Sequence, residues 1–355
     1  MGIWAKYLIG ALLIAFAFTV SSAFSQARPP QYSVDCDAAA GASRRGRGIA
    51  VIVVHRGDVL CERYAPGVDA SDSWELASGV KSFTGVMAAA AVQDDLLTLD
   101  ELVADTITEW REDPLRSRIT IRHLLSQTSG LGNRAGGRLL PSYSDAISRR
   151  SSDEAGRRFR YGPHHFAVFG EVMRRKLETA GLDATPLHYL SRRVLLPLGI
   201  SVERWGMIDG MPTLSENGSI TPMNWARFGF FVQQGGRIGD LALVDGPTLE
   251  AMFVPSAANS IYGLSWWLPH PDNAGDQLSR HMGRMLDTVH AAPDFPAVAI
   301  AAGAGGQRLY ILPELELVVV RMTRGVRQDP QSRRADWSDR RFLERLLVRV
   351  ETQAD

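Results

Sequence analysis

The sequence predicts an α/β fold of the α+β type, an antiparallel sheet flanked by helices, built from both chain ends with a mainly helical subdomain inserted between them. Three observations predict it. A hairpin signal stands near the start, in "GIAVIVVHRGDVLCERYAPG" from Gly48. Helical patterns broken by loops fill roughly residues 96 to 250, and β-rich runs split by turns follow from about 260. The 355 residues are 45% hydrophobic and 22% charged with a formal net charge of +0, the composition of an ordinary globular protein. That balance gives no basic excess for nucleic acid and no acidic excess for disorder.

The first residues stand apart from the globule. "MGIWAKYLIGALLIAFAFTVSSAFSQARPP" has a positive start at Lys6, an apolar run from Tyr7 to Val20, and small residues at Ala23 and Ser25. This is the pattern of a cleavable secretory signal over residues 1–25, cut before Gln26. The apolar run is shorter than the ~20 residues of a spanning helix, so no stable membrane insertion is expected after cleavage. The expectation is a secreted or periplasmic protein. Its mature chain has two cysteines, Cys36 and Cys61, which in an oxidising compartment either pair or remain two unrelated thiols. Residues 26–355 are read as one domain, its sheet part at about 45–100 and 250–350 and its helical part at about 101–249.

Each element has a local reason. His55-Arg56-Gly57-Asp58 is the turn of the first hairpin. Residues 78–95 have a serine start, an alanine-rich body and an acidic end, with Val80, Phe83, Val86, Met87 and Ala90 on a helical period. Gly79 and Gly85 in that helix signal close packing. "ITIRHLLSQTSGLGN" predicts a short helix closed by Gly130. "HHFAVFGEVMRRKLETAG" predicts a longer one, opened by Pro163 and closed by Gly181, with Lys176 facing water near its end. A third begins at its cap Thr221 and ends at Gly235-Gly236. "IYGLSWWLP", "AVAIAAGAGGQRLYILP" and "LELVVVRMT" predict strands, and "DRRFLERLLVRV" an amphipathic closing helix that includes Val350.

The residue that carries chemistry is a lysine. Among 39 basic residues lysine occurs only at Lys6, Lys81 and Lys176; every other one is arginine. Arginine keeps its proton in a protein, whereas lysine is able to release one. Lys81 stands three residues after Ser78, one helical turn along and on the same face. A serine hydroxyl is a weak nucleophile until a base takes its proton, and a lysine amine at this spacing is such a base. A helix start at Ser78 also supplies a backbone N–H for an oxyanion. S-x-x-K alone is a loose pattern, and a structural lysine paired with a carboxylate is its rival.

Further motifs decide between them. "ITIRHLLSQTSGL", Tyr161-Gly162-Pro163 and "GAGGQRLYILPELELVVV" follow Ser78-Gly79-Val80-Lys81 in order. Together they resemble the serine β-lactamase and penicillin-binding-protein superfamily, in its class C β-lactamase-like branch of esterases, amidases and D-peptidases. The resemblance runs from about Gly48 to Val350. It implies the β-lactamase/transpeptidase-like fold, Ser78 as nucleophile, Lys81 as its base and Tyr161 as the proton partner that serves the leaving group. It also implies an oxyanion hole from the N–H groups of Ser78 and of Ala304, with Gly303, Gly305 and Gly306 lining the substrate. The "LLSQTSGL" stretch looks like a marker of fold more than of chemistry. Two departures bear on substrate: Pro163 replaces a frequent asparagine, and Gly303–Gly306 carries no lysine or histidine to hold a β-lactam carboxylate. Arg308 is near, on the strand that follows.

Other assignments have weaker support. No serine sits in a G-x-S-x-G elbow, and no His or Cys spacing suits a metal. His164 and His165 lie beside Tyr161, so His164 is a candidate pocket residue, while an ordinary helix-start role is the simpler one. His123 belongs to a packed helix. Ser215-Glu216-Asn217 is a weaker candidate second motif whose bland role is a capping loop. Trp266 or Trp267 is a candidate floor for an apolar acyl pocket, with core packing as the alternative. The expectation is an exported serine hydrolase that cleaves a small ester or amide through a Ser78 acyl-enzyme, with no cofactor or metal. A β-lactamase or D-amino-acid peptidase, and an inactive penicillin-binding-like binding protein, are the alternatives. Oligomeric state has no signal in the sequence.

Overall fold

The computed structural model describes residues 32–132, 140–269, 295–334 and 337–350. The expected signal segment lies outside them. One compact unit spans Val34–Val348. The five strands of its main sheet come from the two sides of the helical region, as expected. Strands β1 (Gly48–His55) and β2 (Asp58–Tyr64) form the first hairpin, and its turn places Arg56 and Gly57 at positive φ, the two-residue geometry that matches strand twist. Strands β6 (Ala299–Gly303), β7 (Gln307–Leu312) and β8 (Leu317–Thr323) complete an antiparallel sheet in the order β6-β7-β8-β1-β2. The edge strand β6 is the one whose end enters the site.

Both faces of the sheet are covered, which is why β1, β7 and β8 are buried along nearly their whole length rather than alternating. One face packs on helix α5 (Pro222–Gln233), whose cap Thr221 accepts from the Asn224 N–H at 3.1 Å. Gly229 is required there, because a Cβ would stand 2.5 Å from Leu309 and 2.7 Å from Val318. The other face carries α1 (Cys36–Arg45) and α6 (Asp339–Leu346). A Cys36–Cys61 disulfide ties α1 to β2, so the two cysteines are paired.

A small three-stranded sheet, β3 (Trp74–Glu75), β4 (Arg204–Trp205) and β5 (Gly218–Ile220), leads into helix α2 (Lys81–Gln93). Helices α3 (Ile121–Leu125) and α4 (His164–Thr179) lie in the helical region. His123 caps α3 reciprocally with Thr120, a structural role. Lys176 does not face water alone: its Nζ pairs with Glu101 at 2.8 Å.

Two expected elements differ. "IYGLSWWLP" is not a strand; Ser265 at φ 74° turns the chain, and only single bridges join Tyr262 to Trp267 and Trp267 to Ile300. The closing helix ends at Leu346, and Leu347–Arg349 is extended, so Val350 lies beyond the helix.

Candidate active site

The path into Ser78 is strained and tightly held. Leu76 donates its N–H to the Gly218 carbonyl at 2.9 Å, and Ala77 then adopts φ 48°, a left-handed conformation that costs a non-glycine residue about 1–2 kcal/mol. A single 3₁₀ turn, Ala77–Val80, carries Ser78 and runs directly into α2. The expected helix from residue 78 therefore starts as this tighter turn. Gly79 lies against Trp225, where a Cβ would approach to 2.8 Å, which accounts for one of the small residues.

Lys81 is 3% exposed. Its Nζ lies 3.1 Å from Ser78 Oγ and 2.9 Å from the Ser215 carbonyl oxygen, and 4.8 Å from the centre of the Tyr161 ring. Phe166 stands on another side, 5.4 Å away. Among the described residues no carboxylate forms an ion pair with it. The rival role, a lysine neutralised by an acid, is thus absent from the described contacts. Lys81 thus stands between Ser78, three residues before it, and the ring of Tyr161, eighty positions further on.

The Ser215 stretch reaches the site through its backbone and not through an S-x-N side-chain set. Thr84 Oγ1 donates to the Leu214 carbonyl at 2.6 Å, and the Trp205 indole N–H to the Thr213 carbonyl at 2.7 Å. Three successive carbonyls are so fixed, the last of them on Lys81.

Tyr161 is held from behind by "SQTSG". Gln127, at φ 57°, accepts from the Gly162 N–H through its side chain at 2.7 Å and from the Arg160 N–H through its carbonyl at 2.9 Å. His165 is fully buried, with one ring nitrogen 2.7 Å from Ser129 Oγ and the other 2.7 Å from the Arg160 carbonyl. Burial, with repulsion from His164 and Lys81, pushes its pKa down to about 4, against the hydrogen bond to Arg160. It is a neutral tether. Gly130, at φ 76°, allows the Asp153 carbonyl to approach; a Cβ would stand 2.1 Å from it. The segment that reads as a marker of fold is therefore the brace of the second motif.

Aromatic rings complete the surroundings of Tyr161. Trp267 is 5.5 Å from it by ring centres, and Tyr262 meets it edge-on at 6.4 Å. Trp266, the candidate floor, is instead fully buried and packs on Phe253 at 5.6 Å. The turn at Ser265 sends the two tryptophans to different places, and the one beside Tyr161 is Trp267. His164 is half-buried beside Arg149, whose guanidinium lies 3.3 Å from its Nε2. Burial and that cation push His164 down to about 4.

The third element is the β6–β7 hairpin. Gly303 pairs with Gln307, and Ala304, Gly305 and Gly306 form the loop, the last two at φ 81° and 84°. Gly303 abuts the serine turn: a Cβ there would stand 2.0 Å from the Leu76 carbonyl oxygen. Gln307, which the sequence did not single out, is fully buried and clamps the hairpin to the strand before Ser78. Its amide donates to the Glu75 carbonyl at 2.7 Å and accepts from the Thr323 N–H at 2.9 Å. Arg308 points to the rear face, 1% exposed, with its Nε 2.7 Å from Asp339.

The profile of the beta-lactamase family matches residues 35–343, most of the chain. The chain belongs to the beta-lactamase family. Solved structures share this fold at low identity. A putative beta-lactamase from Bacteroides dorei superposes with TM-score 0.65 at 19% identity, covering 82% of this chain and 90% of that one. A putative 6-aminohexanoate-dimer hydrolase from Bacillus anthracis gives 0.62 at 18%, covering 79% and 75%. EstCE1, a hydrolase with promiscuous acyltransferase activity, gives 0.61 at 15%, covering 84% and 97%. A curated relative, an uncharacterized protein of Alkalihalophilus pseudofirmus, is 32% identical over 95 residues. That match spans only 24% of this chain and 27% of the relative's length. For this beta-lactamase family member, the profile shows the family and the solved structures show the fold.

Proposed function

We propose that this protein is an exported serine hydrolase that cleaves a small ester or amide through a Ser78 acyl-enzyme. The observation that carries the reading is the contact of a buried Lys81, with no carboxylate partner among the described residues, with Ser78 Oγ at 3.1 Å. In the free-amine form Lys81 accepts the hydroxyl proton as Ser78 Oγ bonds to the carbonyl carbon. The N–H groups of Ser78 and Ala304 receive the developing oxyanion. Lys81 and Tyr161 pass the proton to the leaving group, whose bond to the acyl carbon then breaks. Water enters by the reverse relay and frees the acid and the serine.

The hairpin loop supplies no cationic side chain, and Arg308 is turned away on Asp339, which favours an ester or simple amide over a β-lactam carboxylate. The disulfide between Cys36 and Cys61 agrees with an oxidising compartment.

The test is hydrolysis of a short-chain p-nitrophenyl ester and a chromogenic cephalosporin by wild type and Ser78→Ala. Ester turnover that falls by at least roughly a thousandfold in the variant supports the reading. Faster cephalosporin than ester turnover would move the assignment to β-lactamase, and no turnover of either by wild type would favour a binding protein.

A further inference from the structure

The rear of the β6–β7 hairpin holds two arginines that the reaction described above does not use. Arg308 and Arg321 are paired across β7 and β8, and both are buried on the face covered by α1 and α6. One carboxylate, Asp339 at the start of α6, stands with them: Arg308 engages it at 2.7 and 3.2 Å and Tyr310 donates to it at 2.6 Å. Arg321 has no ion pair among the described residues and lies over the Trp337 ring at 3.7 Å.

One terminal nitrogen of each arginine, Nη1, reaches the loop that faces the serine, while the other donors of Arg321 go to Ser43 and Gly46. Arg308 Nη1 donates to the Gly303 carbonyl at 3.1 Å and to the Gln307 carbonyl at 2.9 Å. Arg321 Nη1 donates to the Gly306 carbonyl at 2.6 Å. The two guanidiniums therefore hold the carbonyls on both sides of Ala304 and Gly305 from behind. A planar trans peptide points its C=O and its N–H in opposite directions, and none of the peptide bonds here is cis. A Gly303 carbonyl drawn rearward to Arg308 sends the Ala304 N–H forward, off the free edge of β6 and toward the serine turn that Gly303 abuts.

We infer that Arg308 is a positioning residue for the oxyanion hole: by binding the Gly303 carbonyl it fixes the direction of the Ala304 N–H, with Arg321 anchoring the far end of the same loop at Gly306. The inference rests on the serine-hydrolase reading. It gives the cation of this hairpin a role behind the strand, acting through a peptide group without touching substrate. It also explains why a planar, multi-donor guanidinium stands there. A lysine has a single nitrogen, and it cannot reach Asp339 twice and two carbonyls at once.

The experiment measures phosphonylation of Ser78 by a fluorophosphonate, separating the limiting rate constant from the half-saturating concentration. Arg308→Lys keeps a cation beside Asp339. The double variant Arg308→Met, Asp339→Asn removes both charges together, so that neither is left buried alone. Tyr310→Phe perturbs the same cluster without touching Gly303. The limiting rate is expected to fall roughly 10- to 100-fold in both Arg308 variants, less than the loss of a whole oxyanion donor, with half-saturation within about threefold. Tyr310→Phe should stay within about twofold of wild type. A rate within about threefold of wild type in either folded Arg308 variant overturns the inference, as does a fall that only tracks the folded fraction seen by circular dichroism. A wild type that takes no label overturns the serine-hydrolase reading itself, and the inference with it.

Discussion

Two buried cationic clusters stand in front of and behind the same hairpin, and they are built on opposite plans. Behind, the guanidinium of Arg308 is matched by Asp339 and saturated with carbonyls. Burial opposes the charge of Arg308, but Asp339, ahead of Tyr310, holds its pKa above the ordinary value. Arg321 beside it, with burial foremost and Arg308 adding, is pushed down to about 9, still charged at neutral pH. In front, Lys81 has no acid in contact among the described residues and bonds only to a hydroxyl and one carbonyl. The permanent charge of Arg308 is paired and enclosed. Lys81 stands beside the Ser78 hydroxyl with no carboxylate partner among the described residues, the placement that the proposed proton transfer needs. The contrast separates a structural cation from a chemical one without reference to any motif.

The comparison is broken most directly at Lys81. Lys81→Arg keeps the charge but offers no group that gives up a proton, so kcat for the ester should fall by about 10²–10⁴ in a protein that still folds. Stopped or continuous ester assays with a thermal melt on the same sample check it. A variant with near wild-type kcat would make Lys81 a structural cation like Arg308.

A smaller effect is expected one layer out. Gln127→Ala deletes the acceptor for the Gly162 N–H and frees the backbone that presents Tyr161. We expect roughly a tenfold lower kcat and about 1–2 kcal/mol less stability in urea melts, the order of one buried hydrogen bond left unmade. Loss of stability with unchanged kcat would confine Gln127 to the fold.

The smallest expected effect on catalysis comes from His165, whose signature is pH dependence of stability. Its folded pKa of about 4 lies below the ordinary 6.5, chiefly through burial. The neutral form is therefore favoured by folding. That stability is fully present above about pH 6.5 and is lost as pH falls toward 4, by up to roughly 3 kcal/mol. Wild type and His165→Gln, melted between pH 7 and pH 4, should converge at low pH. Parallel curves would remove His165 from the account.

Much of this was legible in the sequence because its signals are local. The hairpin turn at Arg56-Gly57, the helix starts at Thr221 and Pro163, and the spacing of Ser78 from Lys81 are each set within a few residues. What escaped is carried by backbone atoms and by long-range contacts. The Ser215 carbonyl on Lys81 has no residue type to read, and Gln127 meets Gly162 from 35 positions away. The choice between Trp266 and Trp267 is open in the sequence for a related reason. A strand would alternate their sides, but Ser265 at φ 74° replaces the strand with a turn that buries Trp266 against Phe253 and leaves Trp267 on Tyr161. The direction of Arg308 follows from its register in β7, opposite Arg321, which appears only once the strands are paired.

The central claim is that Ser78 and Lys81 act as nucleophile and base, and intact-mass spectrometry after brief exposure to a fluorophosphonate tests it most directly. Wild type is predicted to gain one phosphonyl group on Ser78, Lys81→Arg to gain it at least roughly a hundredfold more slowly, and Ser78→Ala to gain none. Equal labelling of wild type and Lys81→Arg, or an adduct that persists in Ser78→Ala, would contradict it.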